Sequence, residues 1–460
     1  MLGFEDLRLD LFCRATVVLI LGTQLIRGQA PSEEEQRYLR SVLPLIQERK
    51  WGDAESKFKE GLSQFPKSAL LANALGMVYE QQGREDAAAR QFEQALEWLP
   101  SFTAARIHLA AIYGKQGNCA KASQLYRAAA EATADAVALT AIGIGLGECQ
   151  AYADAALVLE KAHGINPASA TTTWNMALAE FKAGAFEQVL TSLDALPRGS
   201  ESLQPEVLYL RGKAVQALKR PGAGLILAQA CRAKPRDDYC SDASIFLMRE
   251  GQLQQAAELL ELELRNQQPT AAALSLLGLV QFRLGRYHEA IKSYTQAIQC
   301  DAALAAPREG LAFLLYMTGD LDAARATVED ALKGPSVNFY VPYLHALILW
   351  RISHRFGPDA LTSLAVSLQR NPNFAPAYFL RGKIRADGND LDAALTDFQR
   401  AAALDTKYAL PWYKMAQLYR RQGRLDDATA AEHHFAALGS LREEEVLARE
   451  AQDVLAPVPH

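Results

Sequence analysis

ALLANALGMVYEQQGREDAAARQFEQALEWLPSF, residues 69–102, decides the fold. It reads as two helices joined at a tight turn. The first carries Leu75, Gly76 and Tyr79, and the second carries Ala88, Phe92 and Ala95. Gly83 lies between them, where a residue with φ > 0 ends the first helix. Pro100 stops the second after its last turn. Gly76 and Ala88 are expected to face each other at the closest approach of the two helices. Tyr79 and Phe92 are expected to fill the space between the helices and against the next unit.

Working outward from this stretch, the place of Ala88 recurs as Ala54, Ala122, Ala155, Val189, Gly224, Ala256, Ala290, Ala324, Ala360, Ala394 and Ala428. The first and last lie 374 residues apart over eleven steps, or 34 per step. A fixed period in this range marks stacked helix-turn-helix units, each touching only its neighbours. A chain of 460 residues would otherwise suggest about three globular domains. Here the array occupies it and leaves no room for a separate catalytic domain.

The set Leu75, Gly76, Tyr79, Gly83, Ala88, Phe92, Ala95 and Pro100 resembles the tetratricopeptide repeat. It returns at 271–304 with Leu277, Gly278, Gly285, Ala290, Tyr294 and Ala297, and at 409–442 with Trp412, Met415, Tyr419, Gly423 and Ala428. The resemblance implies an all-α, right-handed α-solenoid of about twelve repeats: 35–68, 69–102, 103–136, 136–169, 170–204, 205–236, 237–270, 271–304, 305–340, 341–374, 375–408 and 409–442. Units 205–236 and 237–270 depart most from the pattern. Gly224 replaces the small close-contact residue, Pro221 interrupts a turn, and Glu263 stands where a small residue is usual. An irregular bend is expected there. Residues from about 440 to 453, within a tail running to 460, are expected to form a C-terminal capping helix that is polar on one side.

Half of the residues are hydrophobic and 8% are aromatic, which suits a continuous core. A net charge of −5, a pI near 6.0 and the lack of a long Lys/Arg run argue against nucleic acid as a partner. Near the N-terminus, Ala15–Ile26 reads ATVVLILGTQLI after Arg14 and before Gly28, Gln29 and Ala30. The run is short for a bilayer span, which takes about 20 residues. It fits a signal peptide, residues 1–30, cleaved after Ala30, and hence a periplasmic or secreted protein without an integral membrane span once mature. Glu5, Asp6, Asp10 and Pro31 fit that pattern less well. The alternative is an uncleaved amphipathic helix on a cytoplasmic adaptor.

In the family, the first helix of each pair lines a concave surface where clients lie. Transferring that register implies groove residues Asn73, Met77, Glu80, Ile107 and Lys115, then Trp174, Leu178, Phe181, Lys182, Tyr209 and Lys213. Farther along it implies Met248, Arg249, Phe282, Arg283, Phe313, Tyr316, Phe379, Lys383, Tyr413, Gln417, Arg420 and Arg421. Rich in aromatics and basic residues, the set suits a protein or peptide segment that is apolar with some negative charge. One branch of the family clamps acidic chaperone C-termini with Lys and Asn from consecutive units. Only Asn175 holds such a position here, so the clamp is not expected.

Of the six cysteines, Cys119 and Cys149 flank turns that stacking brings side by side, while Cys231 and Cys240 flank one short connection. Both pairs are candidates for disulfides under the Cα–Cα limit of about 7 Å. No metal site or cofactor is expected: there is no paired Cys-x-x-Cys framework, and His288-Glu289 lacks the second His, since position 292 is Lys. Gly143, Gly145 and Gly147 imitate a phosphate loop without its Lys-Ser/Thr ending. The expectation is a non-enzymatic scaffold in an exported complex, or a regulatory or assembly subunit whose activity lies in a partner.

Overall fold

The computed structural model describes residues 32–200, 203–334, 337–353 and 357–439. The expected signal peptide and capping helix lie outside the described residues. Among those described, the chain forms 24 α-helices and no strand. It divides into two compact units, Met1–Ile226 and Leu227–His460, and the division falls within a helix of the weakest repeat.

In the first unit the helices follow in pairs: α1 (Glu33–Gln47) and α2 (Trp51–Gln64), α3 (Ala69–Gln81) and α4 (Glu85–Trp98), α5 (Thr103–Lys115) and α6 (Cys119–Ala132). Then come α7 (Ala136–Glu148) and α8 (Tyr152–Ile165), α9 (Ala170–Lys182) and α10 (Phe186–Asp194), and α11 (Gln204–Ala217), which leads into α12 (Ala223–Ala233). The second unit continues with α13 (Asp237–Arg249) and α14 (Leu253–Asn266), α15 (Ala271–Arg283) and α16 (Tyr287–Cys300), α17 (Ala305–Thr318) and α18 (Leu321–Ala331). It ends with α19 (Tyr340–Ser353) and α20 (Pro358–Arg370), α21 (Ala375–Asp387) and α22 (Leu391–Leu404), and α23 (Ala409–Arg421) and α24 (Leu425–Leu438). Each unit is thus an α-solenoid of stacked hairpins.

Local chemistry starts and stops these helices. Ser68, Asn118, Asp135, Ser169, Thr270 and Asp390 each accept a hydrogen bond from a backbone N–H of the following first turn, satisfying donors the helix leaves open. At the turn inside most pairs one residue takes a left-handed conformation, as Gly285 does at φ 78°. Lys219 occupies the corresponding place at φ 55°. Five residues, 218–222, separate α11 from α12, against three between α3 and α4. Pro221 lies in this longer turn.

The recurring small position is buried in every pair; Ala54, Ala88, Ala122, Ala155, Ala256 and Ala290 are fully enclosed. One expectation needs correction. The atoms nearest to a Cβ built on Gly76 belong to the ring of Phe92, at 2.7 Å, and not to Ala88. The same arrangement sets Gly278 under Tyr294, Gly382 under Phe398 and Gly143 under Leu159. The first helix therefore gives up a side chain so that a large one from the second can lie across its backbone.

Side-chain bonds between consecutive pairs repeat the sequence period. Ser68 donates to Glu35, Thr140 and Thr172 share a hydrogen bond of 2.9 Å, and Arg286 donates to Gln254 at 2.8 Å. These partners lie 33, 32 and 32 residues apart.

A candidate protein-binding surface

The first helices of successive pairs pack against one another, and this packing decides which of the expected groove residues remain accessible. Asn73, Met77, Ile107, Trp174, Leu178, Met248, Phe282, Phe313, Tyr316, Phe379 and Lys383 are buried. They do not form an open recognition surface as the register implied, because consecutive inner helices interlock through them. Phe282 meets Phe313 edge-on at 5.7 Å. Lys383 lies 4.0 Å above the ring of Trp350 and 5.5 Å from that of Phe379. Asn175 is also buried and donates to the carbonyl of Thr171 at 2.8 Å, occupied within its own helix.

Two groups keep contact with solvent. In the first unit, Phe181, Tyr209 and Lys213 are half-buried and Lys182 is exposed. They lie on the consecutive first helices α9 and α11, which share one apolar cluster built on Trp174, Ala177, Leu210 and Ala214. Phe181 meets Phe186 edge-on at 5.5 Å, and Lys213 Nζ stands 6.0 Å from the centre of the Tyr209 ring. In the second unit, Arg249 at the end of α13 is exposed and Arg283 at the end of α15 half-buried, while at its far end Tyr413, Gln417, Arg420 and Arg421 are exposed. Arg420 there is paired with Glu432, and Tyr413 lies against Phe435 at 5.4 Å.

Glu80 and Lys115 belong to a third arrangement. His108 Nδ1 is 3.2 Å and Lys115 Nζ 3.4 Å from the Glu80 carboxylate. Burial works to raise the Glu80 carboxyl, yet its contacts with His108 and Lys115 hold it below the usual range. His108 stacks on Phe92, with ring centres 5.1 Å apart. The cluster joins the second and third pairs and serves packing.

One inner-face element was missed from the sequence. Trp350 is half-buried and donates from Nε1 to Asp387 at 3.1 Å, while Arg351 covers the ring of Tyr316 at 4.7 Å. The signal was available: Trp350-Arg351 repeats the aromatic-basic ending of Phe181-Lys182 and Phe282-Arg283.

Cys231 and Cys240 form a disulfide across a Cα–Cα distance of 4.9 Å, both fully buried. The other expected pair is not bonded: Cys119 and Cys149 are thiols. The Cys149 sulfur is turned toward Gly114 of α5, 3.6 Å from where a Cβ would stand. Burial, then a hydrogen bond with Cys119, pushes its thiol up to about 12. Among the described residues, no group of three or more His, Cys, Asp or Glu is arranged to hold a metal ion, and no helix is long and apolar enough to cross a membrane. A cavity of about 190 Å³ opens beside the short helix α18. Of its charged lining, Arg308 is paired with Asp330 at 2.9 Å and Glu309 accepts from Asn338 at 2.9 Å.

Hairpins stacked on a 34-residue period define a helical-repeat protein. Family models described as tetratricopeptide repeat match residues 45–101, 247–307 and 281–334, and one described as TPR repeat matches 382–423. These stretches are tetratricopeptide repeats, as their residues implied. A stretch of 139 residues is 31% identical to Superkiller protein 3 of Schizosaccharomyces pombe, covering 28% of this chain and 10% of that protein. The chain thus spans about a tenth of that relative's length. Among solved structures it is similar to the APC/C hetero-tetramer Cut9-Hcn1, at 15% identity, 96% coverage of each chain and TM-score 0.39. It is similar to yeast Tom70 at 13% identity, 92% and 99% coverage and TM-score 0.34. It is also similar to YrrB, described as a TPR protein with an unusual peptide-binding site, at 20% identity, 43% and 99% coverage and TM-score 0.33.

Proposed function

We propose that this protein is a non-enzymatic scaffold that holds a partner's peptide or helix segment against the inner helices of its first unit. The observation that carries this reading is the patch Phe181, Lys182, Tyr209 and Lys213 on α9 and α11. Most other aromatics of the same register are consumed by packing, whereas these keep solvent contact beside two lysines. Half-buried aromatic rings contribute area at little entropic cost, and the ammonium groups select for carboxylates in the partner. An extended segment alternating aromatic or aliphatic residues with Asp or Glu fits this chemistry.

A peptide array comparing acidic-aromatic with basic-aromatic sequences tests the reading. The acidic set should be retained, and Lys182→Glu with Lys213→Glu should weaken it by about tenfold or more, the loss expected of a central charged pair. Phe181→Ala with Tyr209→Ala should do the same while leaving the melting temperature within a few degrees. Unchanged binding by both double variants would remove the inner surface from consideration.

Export is proposed as well. The buried Cys231–Cys240 disulfide supports it, because such bonds persist in oxidising compartments. Sequencing the N-terminus of protein taken from its own cells decides between the two locations: a chain starting at Pro31 fits export, and one retaining the first 30 residues does not.

A further inference from the structure

A place that is apolar in many hairpins is charged in α21. The residue before Gly76 in α3 is Leu75, and the same register gives Leu109, Ile142, Met176, Leu277 and Met415, all buried. Polar residues in this place elsewhere have a partner of their own. Arg211 of α11 is paired with Asp194 at 2.7 Å, and His345 of α19 shares a hydrogen bond of 2.9 Å with Ser363. In α21 the place holds Arg381, beside Gly382.

Arg381 must share its carboxylate. It donates to Asp397 of α22 through Nη2 at 2.7 Å and Nε at 3.0 Å, and Arg385, one turn on, donates to the same side chain at 2.9 Å. The Asp397 side chain is only 3% exposed, whereas those of Arg381 and Arg385 keep 22% and 29%. Each guanidinium offers five N–H donors, so this one carboxylate takes a minority of them. A third guanidinium lies close by. The half-buried Tyr378 ring has Arg381 at 5.2 Å and Arg400 at 6.0 Å, and its hydroxyl donates to the Pro372 carbonyl at 3.2 Å. Arg400 is exposed and has no carboxylate partner among the described residues.

The other acids of these helices are engaged or lie elsewhere. Asp387, the last residue of α21, accepts from Trp350, and Asp392 accepts from Gln422 at 3.1 Å. The one acid of α20, Asp359, stands in its first turn, and α23 has none. Three guanidiniums around one carboxylate therefore leave two positive charges without a fixed counter-charge.

We propose that Arg381, Arg385 and Arg400 form a site for a phosphate monoester on the side of α21 that faces α22. A monoester dianion matches the two open charges, and its oxygens accept from planar guanidinium forks, which pair with phosphate bidentately. A carboxylate brings one charge and two oxygens. Asp397 fixes the planes of Arg381 and Arg385, and the Tyr378 ring gathers Arg381 and Arg400, so the donors are set before the ligand arrives. The site belongs to the second unit and does not depend on the patch on α9 and α11. Inorganic phosphate and a phosphoserine of a partner protein share this chemistry.

Calorimetric titration of the full chain tests this, using inorganic phosphate, a phosphoserine peptide and the matching glutamate peptide at equal ionic strength. At least one phosphate probe should bind, and the glutamate peptide should bind about tenfold more weakly or not at all. Arg385→Gln and Arg400→Gln should each lower the affinity about tenfold or more, the loss of a charge-assisted hydrogen bond. Both should melt within a few degrees of wild type, because Asp397 keeps its two bonds from Arg381. Affinity should also fall as the pH is lowered through about 6, where the dianion takes up a proton. Equal binding of inorganic phosphate and peptide identifies the free anion as sufficient; binding of the peptide alone identifies a modified side chain of a partner. Failure of both phosphate probes to bind, equal binding of the glutamate peptide, or unchanged affinity in both variants would overturn the proposal. If Arg385→Gln does not fold, Arg400→Gln decides alone, since that side chain is exposed.

Discussion

Glycine within a helix is costly, about 1 kcal/mol against alanine, yet Gly76, Gly143, Gly278 and Gly382 stand inside first helices. Each has an aromatic or leucine side chain across its Cα face, so the missing methyl is what lets the paired helix approach. Tyr294 shows how little tolerance remains. Its ring lies 2.9 Å from a Cβ built on Gly278 and 2.5 Å from one built on Gly310 in the next pair. Recoil from one glycine drives the ring toward the other. Gly278→Ala should therefore destabilise by about 1–3 kcal/mol, the range for overpacking, read as a lower urea midpoint. Gly52→Ala, in α2 where nothing lies within 4 Å of the added methyl, should be neutral or slightly stabilising. The sequence made these glycines visible as a position. Their partner was misassigned to Ala88, because period alone does not say which side chain leans across.

At the scale of the element, helix ends were the most legible feature. Capping residues, turn glycines and terminal prolines act within a few residues and need no tertiary context. The apparent phosphate loop of α7 resolves in the same way, since Gly143 accommodates Leu159 and Gly145 accommodates Tyr126. The irregular hairpins around 205–270 are held differently. Cys231 and Cys240, nine residues apart, tie the last turn of α12 to the first of α13 where regular packing is weakest. Removing the link by Cys231→Ser should cost about 2–3 kcal/mol, the loop-closure value for so short a span. Chemical denaturation should show this in oxidised wild type against the variant, with the gap closing when reductant is added.

For the molecule, one-dimensional stacking sets how a perturbation spreads. Each hairpin touches only its neighbours, so stability sums over units and nearest-neighbour contacts. In Gly278→Ala, native-state hydrogen exchange should show protection falling most in α15, α16 and α17. The loss should fade in helices farther along the second unit. Uniform loss across all of that unit would instead indicate a single cooperative block. The binding surface is where sequence reading fell short. Phe181 and Phe282 hold equivalent places and are followed by Lys182 and Arg283, yet Phe181 keeps solvent contact and Phe282 is buried. Phe282 has Phe313 of the following first helix to pack on, while the ring neighbour of Phe181 is Phe186 at the start of its own second helix.

The period, the small buried position and the turns were determined by the sequence itself, because helix propensity, caps and left-handed turn residues act locally and recur with each unit. Tertiary structure alone decided that much of the implied groove, Trp174 and Phe313 included, is interior, that Cys231 rather than Cys119 found its partner, and that Glu263 is enclosed. Those outcomes depend on how one hairpin settles on the next, and that settling sets distances and burial that no spacing along the chain contains.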